Sequence, residues 1–120
     1  MDPEVVAQIE SVAERKGAYR PAAYFWVLRA LEFTRRHLRR PGHLSGRELA
    51  EGARDFAVEE YGPMAHDVLT HWGVRSTDDI GRIVYDLIEV GVLSKTEDDS
   101  LEDFSAVFDF RRAFIQDYRW

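Results

Sequence analysis

The side chains able to do chemistry are few and scattered. The chain has four histidines and no cysteine, so disulfides, thiolate zinc sites and cysteine nucleophiles are excluded at the outset. His66 and His71 stand five positions apart, about 140° around a helix at roughly 100° per residue, where two ligands on one helix need i,i+4 spacing. Asp67 and His71 do have that spacing, which suits a local hydrogen bond better than a ligand set. The acidic run Glu97 to Asp103 alternates oxygen donors at Asp98, Ser100 and Glu102. It lacks the glycine at position six and the glutamate at position twelve of a calcium loop, and it reads as a solvated loop that discourages edge pairing. No G-x-S-x-G is present, and Ser45 and Ser76 are explained as helix caps. Phosphate-cradling glycine loops and dinucleotide fingerprints are absent too. An enzyme would have to centre on His71, Arg75, Asp78 and Tyr85, a polar cluster that no motif ties together. The expectation is a protein without catalytic residues, metal or cofactor.

The one basic concentration is Arg35, Arg36, His37, Arg39 and Arg40. Cations gathered in a last helical turn complement the helix dipole, and no aromatic residue interleaves with them as stacking on single strands would require. Arg35, Arg36, Arg39 and Arg40 are nevertheless the only patch on which a nucleic acid could settle. Net charge is −6. The first 60 residues balance ten basic against ten acidic side chains, and the last 60 carry six against twelve, so the excess lies wholly in the second half.

A length of 120 residues with 45% apolar composition allows one proper core in a single domain. The acidic start Met1-Asp2-Pro3-Glu4 is not a secretion signal, and the longest apolar run, Ala22 to Leu28, is too short to span a bilayer. A cytoplasmic protein without a membrane partner is expected.

Five helices are legible before any strand signal. Asp2, Pro3 and Gly17 bracket the first, over 3–16, with Val5, Ile9, Val12 and Ala13 as its apolar stripe. The second starts at Pro21 and runs to about Arg39. Its two offset stripes, one through Tyr24, Val27, Leu28 and Leu31 and one through Ala22, Trp26, Ala30 and Phe33, make it either central to the core or shared with a partner. Ser45-Gly46-Arg47-Glu48 is a capping box opening the third. Pro63 begins the fourth, which Gly73 ends. Ser76 to Asp79 caps the fifth, whose Ile80, Ile83, Val84, Leu87 and Ile88 form the cleanest amphipathic pattern in the chain, and Gly91 closes it. Val92 to Thr96 and Ser105 to Phe110 read as two strands of a β-hairpin, followed by a helix from about Arg111 carrying Phe114, Ile115 and Tyr118.

The predicted fold class is therefore mainly α with one hairpin: a helical pair over 1–41, a winged-helix-like helix–turn–helix with hairpin over 43–110, and a C-terminal helix over 111–120, all in one domain. In that architecture the third helix of the core usually enters the major groove of DNA. Here that helix carries Asp78, Asp79, Asp86 and Glu89 against Arg82 alone, and the hairpin loop is acidic. Phosphate neutralisation dominates such binding, so nucleic acid is disfavoured at this face. The aromatic surplus on the second helix and at the C-terminus makes Trp26, Phe33 and Trp120 the candidate surface for a protein partner or a homodimer.

Several stretches together resemble a family of small bacterial proteins that carries a locus-tag name, the Minf type: His43-Leu44-Ser45-Gly46-Arg47-Glu48-Leu49, Tyr61-Gly62-Pro63-Met64-Ala65, His71 to Gly81, Val90 to Ser100, and Phe108-Asp109-Phe110. Tyr19 to Leu31 fits as well. The resemblance implies membership and a bacterial setting, with no activity and no assigned residues. Taken together, these readings predict a non-enzymatic interaction module that presents an acidic face. The alternatives are a nucleic-acid-binding regulator using the Arg35–Arg40 end, and an enzyme or ligand-binding protein around His71, Arg75 and Asp78.

Overall fold

A computed structural model describes residues 2–39, 42–95 and 99–116. Its α-helices are α1 (Pro3–Lys16), α2 (Pro21–Leu38), α3 (Gly46–Tyr61), α4 (Ala65–His71) and α5 (Thr77–Glu89). A 3-10 turn at Gly62–Met64 leads into α4, another covers Leu101–Phe104, and a π-helical turn covers Arg112–Gln116. The caps follow the sequence closely. Asp2 accepts from the Glu4 amide at 2.8 Å, and Gly17 ends α1 at φ +68°. The Ser45 hydroxyl accepts from the Glu48 amide at 3.0 Å, while the Glu48 carboxylate accepts from the Ser45 amide at 2.9 Å.

Helix α2 is central. Ala23, Tyr24, Trp26, Val27, Ala30, Phe33 and Thr34 are all buried, and α2 packs on α1, α3 and α5. Its double stripe is thus a core feature of the single chain. The approach of α2 to α3 is closest at Gly52. A Cβ built there would overlap the Thr34 hydroxyl outright and fall 2.7 Å from its Cγ2 and 2.8 Å from its Cβ, so only glycine lets the two backbones come this near.

The expected β-hairpin is wrong: among the described residues there is no strand, and the protein is helical throughout. The reason lies in where the backbone donors go. The amides of Val92 and Leu93 both donate to the Leu87 carbonyl, at 2.9 and 3.2 Å, wrapping the chain around the end of α5 just after Gly91 at φ +80°. The Val107 amide donates to the buried Thr77 hydroxyl at 3.1 Å, and the Ser105 amide donates to the Glu102 carbonyl at 2.9 Å. Groups spent in this way cannot build a ladder.

Between these segments Ser100 and Asp103 form a second capping box. The Ser100 hydroxyl accepts from the Glu102 amide at 3.2 Å, and Asp103 Oδ2 accepts from the Ser100 amide at 3.1 Å. The box holds the Leu101–Phe104 turn, and the turn drives Phe104 into a slot between α3 and α5. A Cβ at Gly46 or at Gly81 would come within 2.8 Å of the 103–104 side chains. Phe110 and Phe114 are buried behind it and meet edge to face at 5.1 Å. What reads as a wing is therefore a plug in the core. The C-terminal helix expected over 111–120 is observed as the π-helical turn at Arg112–Gln116, and residues 117–120 lie outside the described residues.

Candidate functional site

One cleft of about 340 Å³ opens between α2, α3, α5 and the segment that follows α5. Each wall is placed by an element already described. Leu31 comes from α2, Leu49 from α3, Val84 and Ile88 from α5, and Phe104 from the capped turn, and together they make the wall apolar. Arg35, His43, Asp99 and Asp103 join them, together with the hydroxyl-bearing residues Ser45, Tyr85, Ser94 and Ser100. Arg35 projects from the last turn of α2, and His43 stands just ahead of the Ser45 capping box. Asp103 belongs to the cap that seats Phe104, which fixes its carboxylate, and Asp99 directly precedes Ser100.

The polar groups of the cleft differ in how far they are engaged. His43 Nε2 lies 2.8 Å from Asp99 Oδ2 and 2.9 Å from Oδ1, a pairing that holds the imidazole edge-on to the carboxylate. Asp103 spends Oδ2 on the Ser100 amide, and its Oδ1 has no partner among the described residues. The Arg35 guanidinium makes no hydrogen bond or ion pair among them either. The Tyr85 hydroxyl is closed off from solvent and has no hydrogen-bond partner. Burial, and then the nearby carboxylates of Asp99 and Asp103, push the Tyr85 phenol above its ordinary value, so it stays a donor at neutral pH. Unpaired buried hydroxyls are uncommon because each forfeits its hydration without recompense.

The residues expected from sequence fall in several places. Tyr85 lines the cleft, but Asp78, Arg75 and His71 do not. The backbone of Arg75 donates to Asp79 at 2.8 Å, and the carbonyl of His71 accepts from Arg20, so the cluster His71, Arg75, Asp78, Tyr85 does not assemble as one site. Trp26 is fully buried and Phe33 is 7% exposed. Both are core, which corrects their assignment to a contact surface, and Trp120 lies outside the described residues. Of the basic end, Arg35 joins the cleft, Arg36 and Arg39 are exposed, and Arg40 lies outside the described residues.

The acids of α5 are largely spent inside the molecule. Asp79 accepts from Tyr19 at 2.5 Å and from Arg82 at 2.8 Å. Asp86 accepts from Tyr24 at 2.7 Å. Glu89 pairs with Arg15 at 3.1 Å and with Lys16 at 3.5 Å, and the Arg15 hydrogen bond holds its carboxyl below the ordinary range. These contacts clasp α5 to α1, to α2 and to the turn between them. The other side of α5 buries Ile80, Gly81, Ile83, Val84 and Leu87, while Arg82 and Glu89 stay exposed.

His43, Asp99, Asp103 and Phe104 were not singled out by type or spacing. One signal was present: Ser100-Leu101-Glu102-Asp103 has the S-x-x-D form of a helix-start cap, which predicts a turn where a hairpin loop was expected. Comparison with protein-family models, with curated proteins and with solved structures gave no match. Among the described residues, no helix is long and apolar enough to cross a membrane, and no group of three histidine or acidic side chains is placed to hold a metal ion.

Proposed function

We propose that this protein binds a small organic molecule in the cleft between α2, α3 and α5. The observation that carries the reading is the cleft's composition: an apolar wall on which a few polar side chains converge, in a volume at the low end of the range typical of ligand sites. The expectation of a protein-interaction module drew on an acidic α5 and on exposed aromatics. The first is tied into the fold, and of the second Trp26 and Phe33 are core. Membership of the Minf-type family, and the bacterial setting it implies, remain part of the same proposal and assign no residue a role.

Fragment screening by protein-observed NMR tests the reading. Hits are expected to shift the amides of Leu49, Val84, Tyr85 and Ile88 together, and Ile88→Trp, which fills the cleft from its partly exposed edge, should abolish those shifts while leaving the rest of the spectrum in place. A screen in which no fragment moves these amides, or in which Ile88→Trp leaves the shifts intact, overturns the proposal.

A further inference from the structure

Three features compete for a further role. Exposed Leu38, Met64, Leu101 and Ile115 come from separate elements, and nothing marks an occupant for any of them. The His43–Asp99 pair ties the approach to α3 to the segment after α5, a structural duty complete in itself. The cleft goes furthest, because each polar side chain that lines it can be followed to the partner or the water that already satisfies it.

On the reading that the cleft binds a small molecule, we infer that its ligand is uncharged and largely hydrocarbon, an apolar body carrying at most a hydroxyl or a carbonyl. The inference rests on how little the polar side chains have left to give. Arg35, Ser94 and Asp103 are exposed, so water solvates them, and Asp103 also accepts from the Ser100 amide. Ser45 and Ser100 are exposed too, and their hydroxyls accept from the amides of Glu48 and Glu102. Asp99 faces His43 through both oxygens. Tyr85 lines the cleft with its hydroxyl shut off from solvent, so that group is out of a ligand's reach. The amides of Val92 and Leu93 are spent on the Leu87 carbonyl. What lies within this rim is Leu31, Leu44, Leu49, Val84, Ile88 and Phe104, all buried or half-buried.

A charge on the ligand has nothing to gain here. The rim holds both signs, Arg35 against Asp99 and Asp103, so either kind of ion meets repulsion together with attraction. Charges in contact with water attract weakly, and drawing an ionised group out of water onto an aliphatic wall costs far more than they return. An uncharged body escapes that cost and keeps the whole gain of covering apolar surface. Its size follows from the volume. An apolar cavity of about 150 Å³ holds one benzene, so about 340 Å³ has room for a body of about two rings. The occupant is a small molecule and not a protein, because the apolar wall stops at the charged rim. Leu38, Met64, Leu101 and Ile115 do not line it, so the cleft is not part of a wider apolar face of the extent a stable interface needs.

The test uses three probes that share one two-ring body: 2-naphthalenemethanol, 2-naphthoate and 2-(aminomethyl)naphthalene. Each is titrated separately into the full chain and followed by the amides of Leu49, Val84, Tyr85 and Ile88. The alcohol should bind at least about fivefold more tightly than either ion, with an affinity that added salt does not lower. Arg35→Gln, at an exposed position, should change the alcohol's affinity less than twofold, and Ile88→Trp should abolish it.

An ion that binds as tightly as the alcohol, or an alcohol affinity that falls with Arg35→Gln or with salt, overturns the inference and leaves the cleft reading standing. Fragment hits in the cleft without binding of the alcohol do the same. Movement of these amides when the ligand-free protein is concentrated would make a second copy the occupant and overturn both. Failure of the probes and of the fragment screen together also removes both.

Discussion

Replacing Gly52 by alanine probes the closest helix contact in the molecule, and its outcome can be worked from the structure. In an ordinary helix interior the change is favourable by about 1 kcal/mol, because alanine restricts the unfolded chain. Here the new Cβ overlaps the Thr34 hydroxyl and falls within 2.8 Å of Thr34 Cγ2 and Cβ. Rotation does not release it, since a β-branched side chain in a helix has few rotamers to choose from, and Cβ is fixed to the α2 backbone. Thr34 is also held by its own hydrogen bond to the Ala30 carbonyl at 2.7 Å. Overpacking of this kind costs about 1–3 kcal/mol, and the depth of overlap puts Gly52 at the top of that range. Less the helical gain, the net loss is about 2 kcal/mol. With an unfolding entropy of roughly 2.1 cal/mol/K per residue, 120 residues turn that into a fall in Tm of about 8 °C. Urea denaturation should show the same loss as a lower midpoint at unchanged slope. In a Thr34→Ala background the hydroxyl and methyl are gone, and the cost of Gly52→Ala should drop below about 1 kcal/mol, a coupling of the size that contacting residues show. A Gly52→Ala protein more stable than its parent, or a cost untouched by Thr34→Ala, would refute the close approach of α2 and α3.

Phe104→Ala should cost about 3–5 kcal/mol in chemical denaturation, because it empties a slot shaped by two glycines rather than trimming a loop. Tyr85→Phe should leave stability unchanged or raise it by about 1 kcal/mol, since it deletes an unpaired hydroxyl, whereas Tyr24→Phe should lower it by about 1.5 kcal/mol by removing a hydrogen bond to a charged acceptor. Burial first, and then the hydrogen bonds to Asp79 and Asp86, hold the phenols of Tyr19 and Tyr24 well above their ordinary value of 10.0. Below pH 10 both are protonated whether the chain is folded or not. Above it the unfolded chain releases these protons and the folded chain keeps them, so stability should fall as pH rises. Tyrosinate absorbance should then appear together with loss of helical circular dichroism, and full ionisation while the helices persist would contradict the two clasps.

The helices were legible because each carries its own punctuation. Asp2, Ser45 and Ser76 start three of them, Gly17 and Gly91 mark two ends, and the period of Ile80, Ile83, Val84 and Leu87 leaves no doubt about which side of α5 is inward. The segment after Gly91 was misread because apolar residues near an acidic loop satisfy a strand pattern locally, and nothing local says that Leu87 will take the amides of Val92 and Leu93. The charge of α5 was misjudged for a related reason. Composition counts Asp79, Asp86 and Glu89 as surface acids, but their partners Tyr19, Tyr24 and Arg15 lie 60 to 74 positions away. The cleft was illegible for the same cause, since Arg35, His43, Tyr85 and Asp103 meet only after α2, α3 and α5 have packed.

The Phe104 plug has a consequence for the order in which the protein can be made. The helix that anchors the core, α2, emerges from the ribosome with its Trp26 and Phe33 uncovered. The slot at Gly46 is complete only when α5 brings Gly81 beside it, and it is filled only when Phe104 arrives. At roughly 5–20 residues per second, the nascent chain spends seconds with α2 covered by α1 and α3 alone and the surface that α5 and Phe104 will bury still bare. The last closure comes late, which makes the unfinished chain, rather than the finished protein, the form that chaperones have reason to hold.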